Sequence, residues 1–191
     1  MKKLQIFAVV ALMYSLISVM PARASQLSRT FDKIALWTGP VPGQGELLYT
    51  LELDSEFVGS PIHRIYDGPA IGRPGRLFNA RHYFEGLNRL RPLFSFSKMG
   101  GRIYEGPRIV GRPVYFFEYT GRFVRVYRGA NVLGPILYVF TEDRVYLGAN
   151  DQGPIILSTD RNLLAQPAPV IQTITLLLEA ASPSVGVPLA N

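Results

Sequence analysis

The chain has 191 residues, 48% hydrophobic and 18% charged, with 20 Lys or Arg against 14 Asp or Glu and no cysteine. That is one domain's worth of chain with enough apolar residues to build a core, and the missing thiols exclude disulfide stapling, cysteine nucleophiles and cysteine metal sites. The formal charge of +6 points toward anionic partners.

Met1-Lys2-Lys3 precede an apolar run over residues 4–20, then Pro21 and Ala22-Arg23-Ala24. A basic start, an apolar stretch and a small-x-small triplet are what the export machinery and signal peptidase read. Residues 1–24 are therefore expected to be a signal peptide, and the mature chain to be exported to the periplasm or outside the cell. The alternative is a retained anchor, because the run approaches the ~20 residues that span a bilayer; Pro21 and the triplet favour cleavage. No Cys follows the run, which excludes a lipoprotein. Residues 1–24 hold Lys2, Lys3 and Arg23 and no acid, so removing three positive charges lowers the net charge from +6 to +3.

Beyond residue 30 an aromatic-x-Gly element keeps returning: Trp37-Thr38-Gly39, Phe57-Val58-Gly59, Tyr66-Asp67-Gly68, Phe84-Glu85-Gly86, Tyr104-Glu105-Gly106, Tyr127-Arg128-Gly129 and Tyr146-Leu147-Gly148. Two stretches are near-copies: RVYRGANVLGPI from Arg125 and RVYLGANDQGPI from Arg144. A second pair is RIYDGPAIGRP from Arg64 and RIYEGPRIVGRP from Arg102. From Gly68 the glycines are spaced 18, 20, 23 and 19 residues apart, a period that marks a repeat architecture.

Each unit reads as a hairpin. An Arg-Ile/Val-Tyr strand ends at a Gly able to take positive φ. A short loop follows, then Gly-Pro or Arg-Pro and a return strand such as residues 136–140 or 114–117, with Pro at the strand's start where its missing donor matters least. Thr141-Glu142-Asp143 turns the chain into the next copy. The predicted fold is all-β: two-stranded repeats of about 20 residues over residues 25–162, either stacked like a solenoid or closed into a ring or barrel, since one hairpin cannot stand alone. Strands of about five residues are half the ~9–11 that cross a membrane, so no membrane barrel and no transmembrane segment is expected in the mature chain. Residues 163–191 are expected to be an apolar cap or tail, its run over residues 170–181 forming a helix or last strand over the end of the array; the other reading is a docking segment.

Arg and Tyr two residues apart on a strand share a face. Arg64 with Tyr66, Arg102 with Tyr104, Arg125 with Tyr127 and Arg144 with Tyr146 would repeat that face as a ladder of guanidinium and phenol groups. Such a ladder suits an anionic polysaccharide or lipopolysaccharide, or else the Arg side chains simply cover the Tyr rings. Residues 64–128 hold thirteen Lys or Arg against four acids, a net of +9, while residues 25–63 and 129–191 each carry −3. A basic middle between acidic ends suits an anionic ligand or contacts between copies in a homo-oligomer, unless folding interleaves the charges.

Little points to catalysis. His63 and His82 read as ordinary strand or turn residues, and no nucleophile elbow, zinc-helix or phosphate-loop motif occurs. The pairs Asp54 with Glu56 and Glu142 with Asp143 read as solvated turns, and Asn131, Asn150 and Asp151 lack the acid density that calcium requires. No enzyme activity, cofactor, metal or nucleic-acid partner is expected.

At GRIYEG (residues 101–106) and RVYLG (residues 144–148) the chain resembles MORN repeats, tandem hairpins known as lipid-associated and scaffolding modules; the return strands lack the Gly-x-Gly element of those units. The looser pattern of Ile/Val-Tyr-x-Gly with a Leu137-Tyr138 return strand also looks like secreted bacterial hairpin repeats described as β-flowers, which implies a fold and no activity. The expected function is non-catalytic binding of an anionic envelope polymer or glycan; the alternative is a structural or self-assembling envelope protein.

Overall fold

A computed structural model describes residues 31–54 and 62–181. The expected signal peptide, the Phe57-Val58-Gly59 copy and the extreme C-terminus lie outside the described residues.

Twelve strands form six hairpins. They are β1 Phe31–Thr38 with β2 Leu47–Asp54, β3 His63–Asp67 with β4 Arg76–Phe78, β5 His82–Glu85 with β6 Phe94–Phe96, β7 Arg102–Glu105 with β8 Tyr115–Tyr119, β9 Val124–Arg128 with β10 Ile136–Phe140, and β11 Arg144–Leu147 with β12 Ile155–Thr159. Every strand pairs antiparallel with its neighbours in sequence, and the array closes where Leu36 faces Thr159 and Trp37 faces Ser158. The all-β hairpin array is thus a barrel, and closure removes the edges that a stack would expose.

The aromatic-x-Gly element marks the end of each first strand. Gly39, Gly68, Gly86, Gly106, Gly129 and Gly148 all take positive φ, between 68° and 100°, where a Cβ would crowd the backbone. The amides of Gly68, Gly106, Gly129 and Gly148 close the ladder to the preceding hairpin: Gly68 N–H donates to the Leu48 carbonyl at 2.7 Å and Gly148 N–H to that of Leu137 at 2.8 Å. The chain then folds back over the outer face of that hairpin, where Thr50 Oγ1 donates to the Gly68 carbonyl and Ser95 Oγ to that of Gly106, both at 2.7 Å.

A second glycine serves the loop itself. A Cβ on Gly134 or Gly153 would overlap the backbone carbonyl of Arg128 or Leu147, while at Gly148 the space is open. Gly134→Ala is therefore expected to cost about 3 kcal/mol through forced backbone displacement, and Gly148→Ala only ~1–2 kcal/mol of φ strain. Denaturant midpoints of the two variants check the order.

Inside the barrel stand Ile65, Ile103, Val126 and Val145, the middle residues of the Arg-Ile/Val-Tyr triplets, all fully buried with Phe78, Phe96 and Phe140. Twelve strands enclose more space than strand side chains fill alone. Helix α1, Ala168–Ala181, fills it: residues 170–178 are buried without a break, which more than two turns of helix achieve only when surrounded. Gln172 Nε2 donates to the Gly100 and Arg102 carbonyls at 3.0 and 3.2 Å, fixing the helix at the end of the barrel that carries the turns between hairpins. The apolar run expected to cover an end of the array lies within the ring instead.

Candidate functional site

The first strands turn Arg and Tyr outward, as their alternation with the buried Ile or Val requires. Two of the four pairs close on a glutamate of the preceding strand. Arg64 Nη1 and Tyr66 Oη both donate to Glu52 Oε2 at 3.1 Å, with Lys33 Nζ 3.6 Å from the other oxygen. Arg125 Nη1 and Tyr127 Oη donate to Glu118 Oε2 at 3.3 and 2.8 Å, and the Arg125 guanidinium lies 4.4 Å over the Phe123 ring. In both clusters burial, and then the accepting carboxylate, pushes the tyrosine hydroxyl above its usual pKa.

The other two pairs are built differently. Ser97 and Thr141 hold the positions opposite Arg102 and Arg144, and their amides donate to those residues' carbonyls. Arg102 lies 5.8 Å over the Phe116 ring beside a half-buried Tyr104. Arg144 Nε is 3.6 Å from Asp143, and Tyr146 is buried. The eight residues share an outward orientation on β3, β7, β9 and β11, but three strands separate the first pair from the second, and one return strand separates each later pair from the next. Sequence reading missed Glu52 and Glu118. Glu118 was within reach, since a short turn at residues 120–123 places it opposite Arg125; Glu52 was hidden by the longer connection to Arg64.

Closure changes the meaning of the charge blocks. Because strands adjacent in sequence are adjacent in the ring, the basic block 64–128 occupies one unbroken sector, β3 to β9. The acidic ends meet through β1 and β12 in another. Arg73, Arg89, Arg91, Arg108 and Arg112 stand in the hairpin loops of the basic sector, Arg81, Lys98 and Arg122 at its opposite end, and Arg102 on β7. Among the described residues none of these makes an ion pair.

At the loop end of the barrel the helix terminates in a polar cluster. Glu179 Oε1 accepts from Tyr138 Oη at 2.7 Å, and Oε2 accepts from Tyr115 Oη at 3.0 Å and Arg128 Nη2 at 2.7 Å. Burial, joined by the Glu179 carboxylate, pushes the Tyr115 hydroxyl far above the usual tyrosine value; burial first, with smaller contributions from Glu85, Tyr49 and Asp67, raises Tyr83 as strongly against the lowering effect of Arg76. A folded-state value above the unfolded one contributes stability that is complete below about pH 10 and is lost as pH rises beyond it. The barrel is expected to unfold in alkali in step with tyrosinate formation, checked by absorbance at the phenolate band beside circular dichroism.

The remaining polar residues have local roles. His63 packs on Phe78 with ring centres 4.7 Å apart. His82, whose pKa is lowered by burial, faces Phe84 and bonds the Pro107 carbonyl of a folded-back loop. Asn131 and Asn150 accept amides of their own loops through Oδ1, both at 3.0 Å. Asp143 pairs with Arg144; the Asp54 side chain and Glu56 lie outside the described residues. Among the described residues no group of three or more His, Asp or Glu is arranged to hold a metal ion, and no helix is long and apolar enough to cross a membrane. A shallow cleft of about 50 Å³ lies between Phe123, Arg125 and Val139 and the loop at Ala149, Asn150 and Asp151.

The fold and surface thus define a closed barrel of six tandem hairpins around a central helix, with one basic sector. Compared with protein-family models, curated proteins and solved structures, the chain matches none.

Proposed function

We propose that this is an exported, non-catalytic binding protein that recognises an anionic envelope polymer or glycan. The observation that carries this reading is that, among the described residues, nine of the thirteen cations in the basic sector make no ion pair, Arg64, Arg76, Arg125 and Arg128 being the paired ones, since cationic groups not engaged by carboxylates are available to phosphates, sulfates or uronates. The Glu52 and Glu118 clusters move the expected contact surface from the Arg/Tyr ladder toward the loops: Arg64 and Arg125 are engaged, whereas Arg73, Arg89, Arg91 and Arg108 are not. Export rests on the make-up of residues 1–24.

The test is binding of the mature chain to dextran sulfate and to lipopolysaccharide across a salt series. Changing Arg73, Arg89, Arg91 and Arg108 together to Gln is expected to weaken binding about ten-fold or more and to flatten its salt dependence. Changing Arg64, Arg102, Arg125 and Arg144 to Gln is expected to weaken it less and to lower stability more. Equal binding by the loop variant and the parent would remove the proposal. Self-assembly is the second reading, favoured by the presence of opposite-signed sectors on one ring; concentration-dependent oligomers that dissolve in salt would support it.

A further inference from the structure

The loop between β11 and β12 is bent back by its Gly148 amide, which donates to the Leu137 carbonyl of β10 at 2.8 Å. It overhangs the outer wall of the preceding hairpin and encloses the cleft of about 50 Å³ between Phe123, Arg125 and Val139 on the wall and Ala149, Asn150 and Asp151 on the loop. That volume is far below the roughly 300–1,000 Å³ of a pocket that swallows a whole ligand. It takes one small group projecting from something larger.

The floor of the cleft is apolar: Val139 is 2% exposed and the Phe123 ring is half-buried. Its polar lining carries both signs. Arg125 lies 4.4 Å over the Phe123 ring and is held there by Glu118 through Nη1, while its Nε is buried without a partner. Asp151 is exposed and, among the described residues, makes no ion pair with Arg125 or any other cation. Opposite charges that line one cleft without pairing leave a donor and an acceptor facing the same space. Asn150 adds a second donor, since its Oδ1 takes the Gln152 amide at 3.0 Å and leaves the side-chain NH2 to a ligand. A sulfate or carboxylate suits Arg125 but is repelled by Asp151, and a lone hydroxyl leaves the floor uncovered. A secondary amide that ends in a methyl group uses every part: its carbonyl accepts from Arg125 or Asn150, its N–H donates to Asp151, and its methyl covers Phe123 and Val139.

The repeat shows that the fold does not call for these residues. One hairpin earlier, Val132 stands in the place of Asp151, and Gly100 stands two residues before Arg102 as Phe123 stands before Arg125; β7 and β8 pair all the same. We infer that the cleft seats the acetamido group of an N-acetylated amino sugar. This rests on the proposed binding of an envelope glycan and names a sugar that glycan contains. Acidic groups of the same polymer fall to the neighbouring cations, because β9 borders the basic sector and Arg122, which makes no ion pair among the described residues, precedes Phe123.

The experiment is isothermal titration of the mature chain with chitotetraose, whose sugars each carry an acetamido group, and with cellotetraose, which has hydroxyls in their place. Dextran sulfate and N-acetyl-lysine are separate arms. The parent is expected to bind chitotetraose about ten-fold or more tightly than cellotetraose, because groups set to pair with an amide are left unpaired by the analogue that lacks it. Asp151→Val, which installs the residue of the neighbouring repeat and whose fold circular dichroism verifies, is expected to weaken chitotetraose binding about ten-fold. It should hold dextran sulfate at least as tightly as the parent, since it loses a negative charge. Equal affinity for the two oligosaccharides overturns the inference, and so does equal chitotetraose binding by parent and variant. N-acetyl-lysine bound as tightly as chitotetraose overturns it too, assigning the cleft to acetylated side chains. Dextran sulfate binding without chitotetraose binding overturns the inference and leaves the proposed function standing; failure to bind either overturns both.

Discussion

Ending the chain at Pro167 is expected to abolish the folded barrel. The lost helix buries Val170, Ile171, Ile174, Leu176, Leu177 and Leu178, none more than 7% exposed. At ~1.5–3 kcal/mol for each large aliphatic side chain, the loss is roughly 10 kcal/mol or more, comparable with the whole ~5–15 kcal/mol stability of a domain. The strands lose their support as well, since Ile34, Phe78, Phe96 and Phe140 would then line a wet lumen. A single charge inside should do nearly as much. Ile174→Asp places an unpaired carboxylate at a position with no exposed surface, whereas Leu176→Met keeps volume and polarity and should cost less than about 1.5 kcal/mol. Near-UV circular dichroism and denaturant unfolding of the three variants decide the matter. A truncated chain with the parent's midpoint would show that the helix is a passenger.

That dependence explains which features were legible from sequence. The repeat was visible because every hairpin has one residue at positive φ two positions after an aromatic that covers the outer sheet, and Gly39, Gly68 and Gly148 show it directly. The inward Ile65, Ile103, Val126 and Val145 followed from simple alternation. Closure was not visible. It depends on Leu36 meeting Thr159 across more than 120 residues, and nothing local in either strand differs from what an end of a stack would show. The helix lay in between: VIQTITLLL has no charged face, and a helix apolar all round is one that must be surrounded. Gln172 and Thr175 obscured that signal, although the first bonds the Gly100 carbonyl and the second the Ile171 carbonyl of its own helix. For the site, the basic block could be counted from sequence, but its continuity in space came only from the ring. The Glu52 and Glu118 clusters needed register, which composition does not carry.

Glu179→Ala is expected to destabilise the protein by about 2–4 kcal/mol, the second-largest effect among these substitutions. An acid in the last turn of a helix is unfavourable on its own, because the carbonyl end of the macrodipole is negative, at ~0.3–1 kcal/mol. It stays there because three donors from β8, β9 and β10 converge on it, and hydrogen bonds to a charged group contribute ~1.5–3 kcal/mol each where water is excluded. Arg128 is 52% exposed and Glu179 21%, so the ion pair is screened and the tyrosines carry more of the effect. Arg128→Ala should therefore cost less than Glu179→Ala. Tyr138→Phe and Glu179→Gln together should cost about 1 kcal/mol less than the sum of the two alone, because they share one bond. Chemical unfolding of the four single variants and the double variant tests the cycle, and additive losses would mean that the tyrosine does not hold the helix end. If the coupling is present, hydrogen exchange in the last turn of α1 should speed up in Glu179→Ala before exchange in β9 or β10 changes, since the latch holds the helix to the barrel and the barrel is held by the rest of the helix.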